Sequence, residues 1–126
     1  MPANRCHILL VDDHADSAMF MAKLLKLEGH TVLIADCCAS ARALAEGEKF
    51  DLLISDIGLP DGTGYELMGE LGRTYGLRGI ALSGRALPED VDASREAGFV
   101  EHLIKPVSMP EVAEAISRIA RSPAKA

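Results

Sequence analysis

The chain has no C-x-x-C pair, no excess of positive charge and no apolar run near the roughly 20 residues that span a bilayer. Its cysteines, Cys6, Cys37 and Cys38, are odd in number and two are adjacent, so they imply no disulfide framework. Without C-x-x-C spacing, zinc-binding and thioredoxin-like readings lose their ligands or their redox pair. The three thiols read as reduced, space-filling side chains, which suits a reducing cytosol. A formal net charge of −6 repels a phosphate backbone and argues against direct nucleic-acid binding. Met1 to Cys6 lacks the apolar stretch of a signal peptide. Together these absences point to a cytoplasmic domain without membrane contact. There is no internal repeat, low-complexity tract or interdomain linker. With 126 residues, 48% hydrophobic and 25% charged, the chain reads as one domain over 1–126. Its expected core runs from about 7 to 120, and 122–126 reads as a frayed tail.

Short apolar runs recur along this length. Ile8-Leu9-Leu10-Val11, Val32-Leu33-Ile34-Ala35, Leu52-Leu53-Ile54-Ser55 and Ile80-Ala81-Leu82-Ser83 are followed by a weaker His102-Leu103-Ile104. Continuous rather than alternating runs mark strands buried on both faces. Helical stretches lie between them. In Asp16–Glu28 the apolar stripe is Met19, Leu24, Leu25 and Leu27, with Gly29 as a stop. Ser40–Glu46 is alanine-rich, with Ser40 a candidate cap, and Tyr65–Leu71 carries Leu67, Met68 and Leu71. Pro88 suits the first turn of Glu89–Ala97, which ends at Gly98. Met109–Arg121 repeats apolar residues at Val112, Ala113, Ile116, Ile119 and Ala120. Five β-α units of this size predict a flavodoxin-like doubly wound α/β fold. It has a five-stranded parallel sheet in the order 2-1-3-4-5 and five covering helices.

In such a fold, residues just after the strands converge on one edge of the sheet. Here those residues are Asp12 and Asp13, Asp56, Ser83 with Gly84, and Lys105 with Pro106. Three gathered carboxylates repel one another unless a cation sits among them, and an oxygen-rich cluster suits Mg²⁺. A lysine and a hydroxyl beside them can hold phosphate oxygens. Such parts serve phosphoryl transfer, where positioning and charge neutralisation supply most of the catalysis. A carboxylate can itself act as the nucleophile.

The motifs Leu9-Leu10-Val11-Asp12-Asp13, Ser55-Asp56-Ile57-Gly58-Leu59-Pro60, Ala81-Leu82-Ser83-Gly84 and Ile104-Lys105-Pro106 stand in order, each at its own strand. Taken together, over residues 7–120, the chain resembles the receiver domains of two-component response regulators. The resemblance implies that Asp56 is the phosphoacceptor. It implies that Asp12 and Asp13 bind Mg²⁺ directly or through water, with Gly58 offering its backbone carbonyl. Lys105 would pair with the carboxylate and then with the phosphoryl group, and the Ser83 hydroxyl would move to bond it. Gly84 would leave the phosphate accessible, and the Lys105–Pro106 bond is commonly cis in the family. The partner implied is a histidine kinase or a histidine phosphotransfer domain. The stretches Ser55–Gly64, Ala97–Phe99 and Glu101–Pro106 look closest to receivers of hybrid histidine kinases. That leaves a stand-alone receiver or a segment of a longer kinase.

One position departs from the family pattern. Where many members carry Tyr or Phe three residues before the lysine, this chain has His102. A histidine is smaller and can carry charge, so His102 is expected either as a switch on the signalling face or as a half-exposed strand residue. Gly62 and Gly64 read as turn glycines. His7, His14 and His30 share no metal-ligand spacing and are expected at the surface, with His14 set apart by its place next to the acidic pair. Arg85 is expected to face solvent, near enough to influence water access. Two other functions compete. A haloacid-dehalogenase-like phosphatase would need a carboxylate two residues after the nucleophile, where Gly58 stands. A pseudo-receiver that only binds partners usually lacks an acid or the lysine.

Overall fold

The computed structural model describes residues 5–84 and 88–121. Along the chain run β1 (His7–Val11), α1 (Ala15–Leu27), β2 (Thr31–Ala35), α2 (Cys38–Gly47), β3 (Leu52–Asp56), β4 (Gly58–Leu59) and β5 (Gly62–Thr63). Then follow α3 (Gly64–Tyr75), β6 (Arg78–Ser83), α4 (Pro88–Ala97), β7 (Phe99–Ile104) and α5 (Met109–Arg121). The main sheet is parallel throughout, in the order β2-β1-β3-β6-β7. Counting its own strands, this is the expected 2-1-3-4-5 with five helices. The two-residue strands β4 and β5 form a small antiparallel hairpin that the apolar pattern did not announce.

Successive side chains on a strand point to opposite faces, so each central strand feeds two cores. Ile8 and Leu10 of β1 pack with Leu25 of α1 and Ile116 of α5, while Leu9 and Val11 pack with Ala41 of α2 and Leu67 of α3. Each such Ile, Leu or Val side chain contributes about 1.5–3 kcal/mol when removed from water. The expectation of burial on both faces holds for β1 and β3 but not for β2. As the edge strand, β2 buries Val32 and Ala35 and exposes Thr31 and Ile34.

The helices correct several expectations. On α1 the buried stripe is Ala18, Ala22 and Leu25, spaced four and three residues apart, whereas Met19 and Leu27 are exposed. Small alanines let the helix lie close to the sheet, and the larger apolar residues fall on the outer face. Ser40 does not cap α2; it lies inside the helix. The cap is Cys37, whose sulfur accepts from the Ser40 N–H, and the Asp61 carboxylate accepts from the N–H groups of Cys38 (2.7 Å) and Ala39 (3.0 Å). Helix α3 runs longer than expected, mostly at its C-terminal end, and Thr63 and Glu66 form a reciprocal capping box at its start. It ends at Gly76, whose φ of 71° is the left-handed conformation that favours glycine. Gly98 ends α4 in the same way, with φ of 116°. On α5 the buried residues are Val112, Ala115, Ile116 and Ile119; Ala113 is half-buried, and the Ala120 side chain lies outside the described residues. Arg85 and the tail 122–126 lie outside them too.

Two histidines are less exposed than expected. His30 is buried, and its Nδ1 accepts the Cys6 N–H at 3.0 Å. Burial pushes its pKa down, partly opposed by Glu28. His7 is half-buried, stacked on Phe50 with Nε2 2.7 Å from the Glu48 carboxylate. None of the three cysteines is in a disulfide, and burial, aided by Asp61, pushes Cys38 up to about 11. Among the described residues no helix is long and apolar enough to cross a membrane.

Candidate functional site

Strand register brings the chemistry together. Val11 pairs with Ser55, Asp56 with Leu82, and Ser83 with Ile104. The residues that follow these pairs, Asp12 and Lys105, therefore flank Asp56 at the carboxyl edge of the sheet. Backbone bonds hold them there. Asp12 N–H donates to the Ala35 carbonyl at 3.0 Å, Ile57 N–H to Leu82 at 3.2 Å, and Lys105 N–H to Ser83 at 2.7 Å. The Lys105–Pro106 peptide bond is cis, as the resemblance implied.

Asp12 and Asp56 are almost fully buried, at 4% and 5% exposure, while Asp13 is exposed. Lys105 Nζ stands 2.8 Å from Asp56 Oδ1. The charge of the Lys105 ammonium is what compensates this buried oxygen. The Asp56 carboxyl is pushed up to about 6. Burial is the main cause; Lys105 pulls the other way, and the neighbouring Asp12 adds to the rise. Lys105 therefore does not fully offset the cost of burying the Asp56 carboxylate.

Ligand atoms of Asp12, Asp13, His14 and Asp56 all lie within 4.8 Å of one another. Three carboxylates around a buried, hydrogen-bond-free Oδ1 are a donor set that fits a divalent cation. His14 was expected at the surface, and its ring is indeed 73% exposed, but it also joins this cluster. Its position beside the acidic pair was the available signal. A recess of about 340 Å³ lined by Asp12, Asp13, Met19 and Ile34 opens beside the cluster. A wider recess, about 1050 Å³, lies at the opposite end of the sheet among Gly72, Leu77, Arg78 and Gly98, and contains none of the clustered acids. Volume is therefore a poor guide to the chemistry here.

The remaining expected residues divide. Ser83 is half-buried at the end of β6. Gly58 and Gly84 are exposed, and a Cβ at either would meet nothing within 4 Å, so packing does not demand glycine there. Gly64 is more than a turn glycine. Its N–H donates to the Ile57 carbonyl at 2.7 Å, and a Cβ there would collide with the Asp56 carbonyl oxygen. It keeps α3 pressed against the backbone of Asp56, a close approach that sequence spacing alone does not reveal. The same carbonyl accepts the Ser55 hydroxyl at 2.8 Å. His102 is half-buried and turned toward α4, with Nδ1 2.7 Å from the hydroxyl of buried Ser94. Its Nε2 is buried without a partner among the described residues.

Comparison with known proteins agrees with this geometry. The sequence profile of the response regulator receiver domain matches residues 8–117. An uncharacterised 14.6 kDa protein of Leptolyngbya boryana is 38% identical over 108 residues, 83% of this chain and 82% of that protein. A response regulator receiver protein of Anaeromyxobacter sp. is 34% identical over 82% of this chain, but this chain spans only 44% of its length. Among solved structures, a CheY-like response regulator receiver domain protein from Methanospirillum hungatei has a TM-score of 0.85 at 32% identity, covering 92% of this chain and 94% of that one. With a parallel five-stranded sheet, an acidic cluster at its carboxyl edge and a matching profile over most of its length, the chain belongs to the response regulator receiver domain family.

Proposed function

We propose that this chain, as a single receiver domain, takes a phosphoryl group from a phosphohistidine onto the Asp56 carboxylate in a Mg²⁺-dependent reaction. The observation that supports this most is the ion pair of Lys105 with a buried, under-compensated Asp56 beside two further acids. A nucleophilic carboxylate must be ionised, close to its counter-charge and reachable. At neutral pH a carboxyl titrating near 6 is mostly ionised. One carboxylate oxygen of Asp56 forms the new bond to phosphorus as the bond from phosphorus to the donor imidazole nitrogen breaks, and the imidazole leaves with its electron pair. The Lys105 ammonium follows the negative charge from the carboxylate to the phosphoryl oxygens, and the Ser83 hydroxyl bonds one of them. Asp12, Asp13, Asp56 and the Gly58 carbonyl would hold Mg²⁺, which when bound supplies positive charge against the phosphoryl oxygens.

The phosphodonor belongs to a histidine kinase or a histidine phosphotransfer domain, whether separate or joined to this chain in a hybrid kinase. Met19 and Phe20, exposed apolar residues of α1 near the acidic edge, give such a partner a surface to cover. Phosphorylation would draw Ser83 inward and bias the face of α4, β7 and α5, with His102 and its Ser94 contact as the reporting pair. A phosphohistidine donor of this kind suits a cytoplasmic location.

Incubation with acetyl phosphate and Mg²⁺, followed by intact-mass spectrometry, tests the proposal. The expected result is the gain of one phosphoryl group, lost in hydroxylamine and absent in Asp56→Asn. Continued turnover of many phosphate esters would favour a phosphatase instead. An inert chain that still binds a kinase would favour a pseudo-receiver.

A further inference from the structure

Helix α1 is apolar on two opposite faces. Ala18, Ala22 and Leu25 are buried against the sheet, and the stripe facing away from them runs Asp16, Phe20, Lys23 and Leu27 at helical spacing. Phe20 is 65% exposed and Leu27 75%, so folding leaves most of both side chains in water. Met19 of the same helix and Ile34 of the neighbouring edge strand β2 meet at one recess and extend the patch. Four of the six exposed large apolar side chains among the described residues therefore gather on α1 and β2. The other two, Tyr75 and Val100, stand apart on α3 and β7. Apolar residues scattered singly need no explanation, whereas a patch gathered on one side marks a contact surface.

Charge on this face is polarised along the helix. Exposed Asp13 and Asp16 stand at its start, and exposed Lys23 and Lys26 in its second half. Neither lysine, nor Asp16, has an ion-pair partner among the described residues. A second copy laid antiparallel on α1 brings unlike charges together in a single register. With a two-fold axis between Met19 and Phe20, each Phe20 packs on the partner's Met19, each Asp16 faces a Lys23, and each Asp13 faces a Lys26. Glu28, at the C-cap, falls beyond the paired stretch. A parallel pairing would set acid beside acid and base beside base. Two-fold symmetry also makes every such contact twice.

The geometry points to a second copy of this chain as the occupant of this face, paired antiparallel through α1 about an axis beside Phe20. A helix of 13 residues is about 20 Å long. Its outer face is smaller than the roughly 800 Å² per partner of a stable complex, so the pairing is weak and reversible, with a Kd of roughly 10–500 µM. Self-pairing does not depend on the phosphoryl-transfer reading. On that reading it has a consequence: Met19 rims the recess beside Asp12 and Asp13, so a copy seated on α1 covers the surface offered to a phosphodonor, and the two exclude one another.

Sedimentation equilibrium of the whole chain from about 5 µM to about 1 mM tests the pairing, at low salt and in about 0.5 M NaCl. A monomer–dimer equilibrium that salt weakens is the expected result. Phe20→Ser, checked for an intact fold by circular dichroism, should weaken it at least about tenfold. Asp16→Lys and Lys23→Glu should each do the same, because each sets like charges together twice. Mixing these two variants should restore the dimer, since unlike charges then meet on both sides of the axis. Monomer at every concentration, a dimer unchanged by Phe20→Ser, or charge variants that fail to rescue each other would overturn the inference. Mass gain from acetyl phosphate, read on the same samples, judges the phosphoryl-transfer reading separately. If the chain stays monomeric yet gains one phosphoryl group, self-pairing falls, that reading stands, and the face is left to the phosphodonor.

Discussion

Replacing Asp56 by Asn should stabilise the metal-free domain at neutral pH while abolishing its proposed chemistry. The reason lies in the raised carboxyl: about 6 in the fold against an ordinary 3.8. Between those values the unfolded chain releases its proton and the folded chain keeps it. Stability therefore falls as pH rises through this window and levels off above it. The two-unit gap corresponds to at most about 3 kcal/mol at 1.36 kcal/mol per unit. The rim of the site is open to water, and screening there reduces this to about 1–2 kcal/mol. Asn removes the charge and keeps the shape, so Asp56→Asn should be the more stable protein by that amount at pH 7.5 in EDTA. For a domain of this size that is roughly 4–8 °C in Tm. The gap should shrink toward zero as the pH approaches 4. Mg²⁺ should narrow it at neutral pH by binding the wild-type fold. Urea unfolding of both proteins from pH 4 to pH 7.5, with EDTA and then with Mg²⁺, measures each term. An Asn variant less stable than wild type at pH 7.5, or a gap that does not change with pH, would refute the reasoning.

Other perturbations separate the parts of the account. Lys105→Met removes the cation 2.8 Å from Asp56 and should slow phosphorylation by acetyl phosphate by roughly ten- to a thousandfold, read as the rate of mass gain. Gly64→Ala forces a Cβ against the Asp56 carbonyl and to 3.2 Å from Ile57 Cα. It should cost about 1–3 kcal/mol in urea unfolding, as overpacking does, and slow phosphorylation as well. Gly84→Ala meets open space and should leave stability unchanged, which makes it the control. His30 has its pKa lowered by burial, so its contribution is intact above pH 6.5 and lost as pH falls below that value. Protonation also removes the acceptor for the Cys6 N–H, and His30→Gln should flatten the fall in Tm between pH 7.5 and pH 5.

The topology and the convergence of the acids and the lysine were legible because they rest on order along the chain. Each motif residue follows an apolar run, and a parallel sheet carries such positions to one edge whatever the details of the helices. Side-chain facing was less legible. Met19 and Leu27 looked like core from their type, but the face of α1 that meets the sheet is set by small Ala18 and Ala22. Ser40 looked like a cap from its type, yet Cys37 and the distant Asp61 take that place. Asp61 reaches α2 only because the β4–β5 hairpin turns back beside it, and four residues of strand leave almost no periodicity to read. The close approach of Gly64 to Asp56 and the burial of His30 against Cys6 are tertiary facts of the same kind.

One carboxylate, at position 56, is proposed to carry the phosphoryl group. Reduction of the phosphorylated chain with borohydride converts an acyl phosphate of aspartate to homoserine, and tandem mass spectrometry locates the change. Homoserine is expected at position 56 and nowhere else, dependent on Mg²⁺. Homoserine at position 12 or 13, or a phosphoryl group on His14 that borohydride leaves untouched, would contradict it.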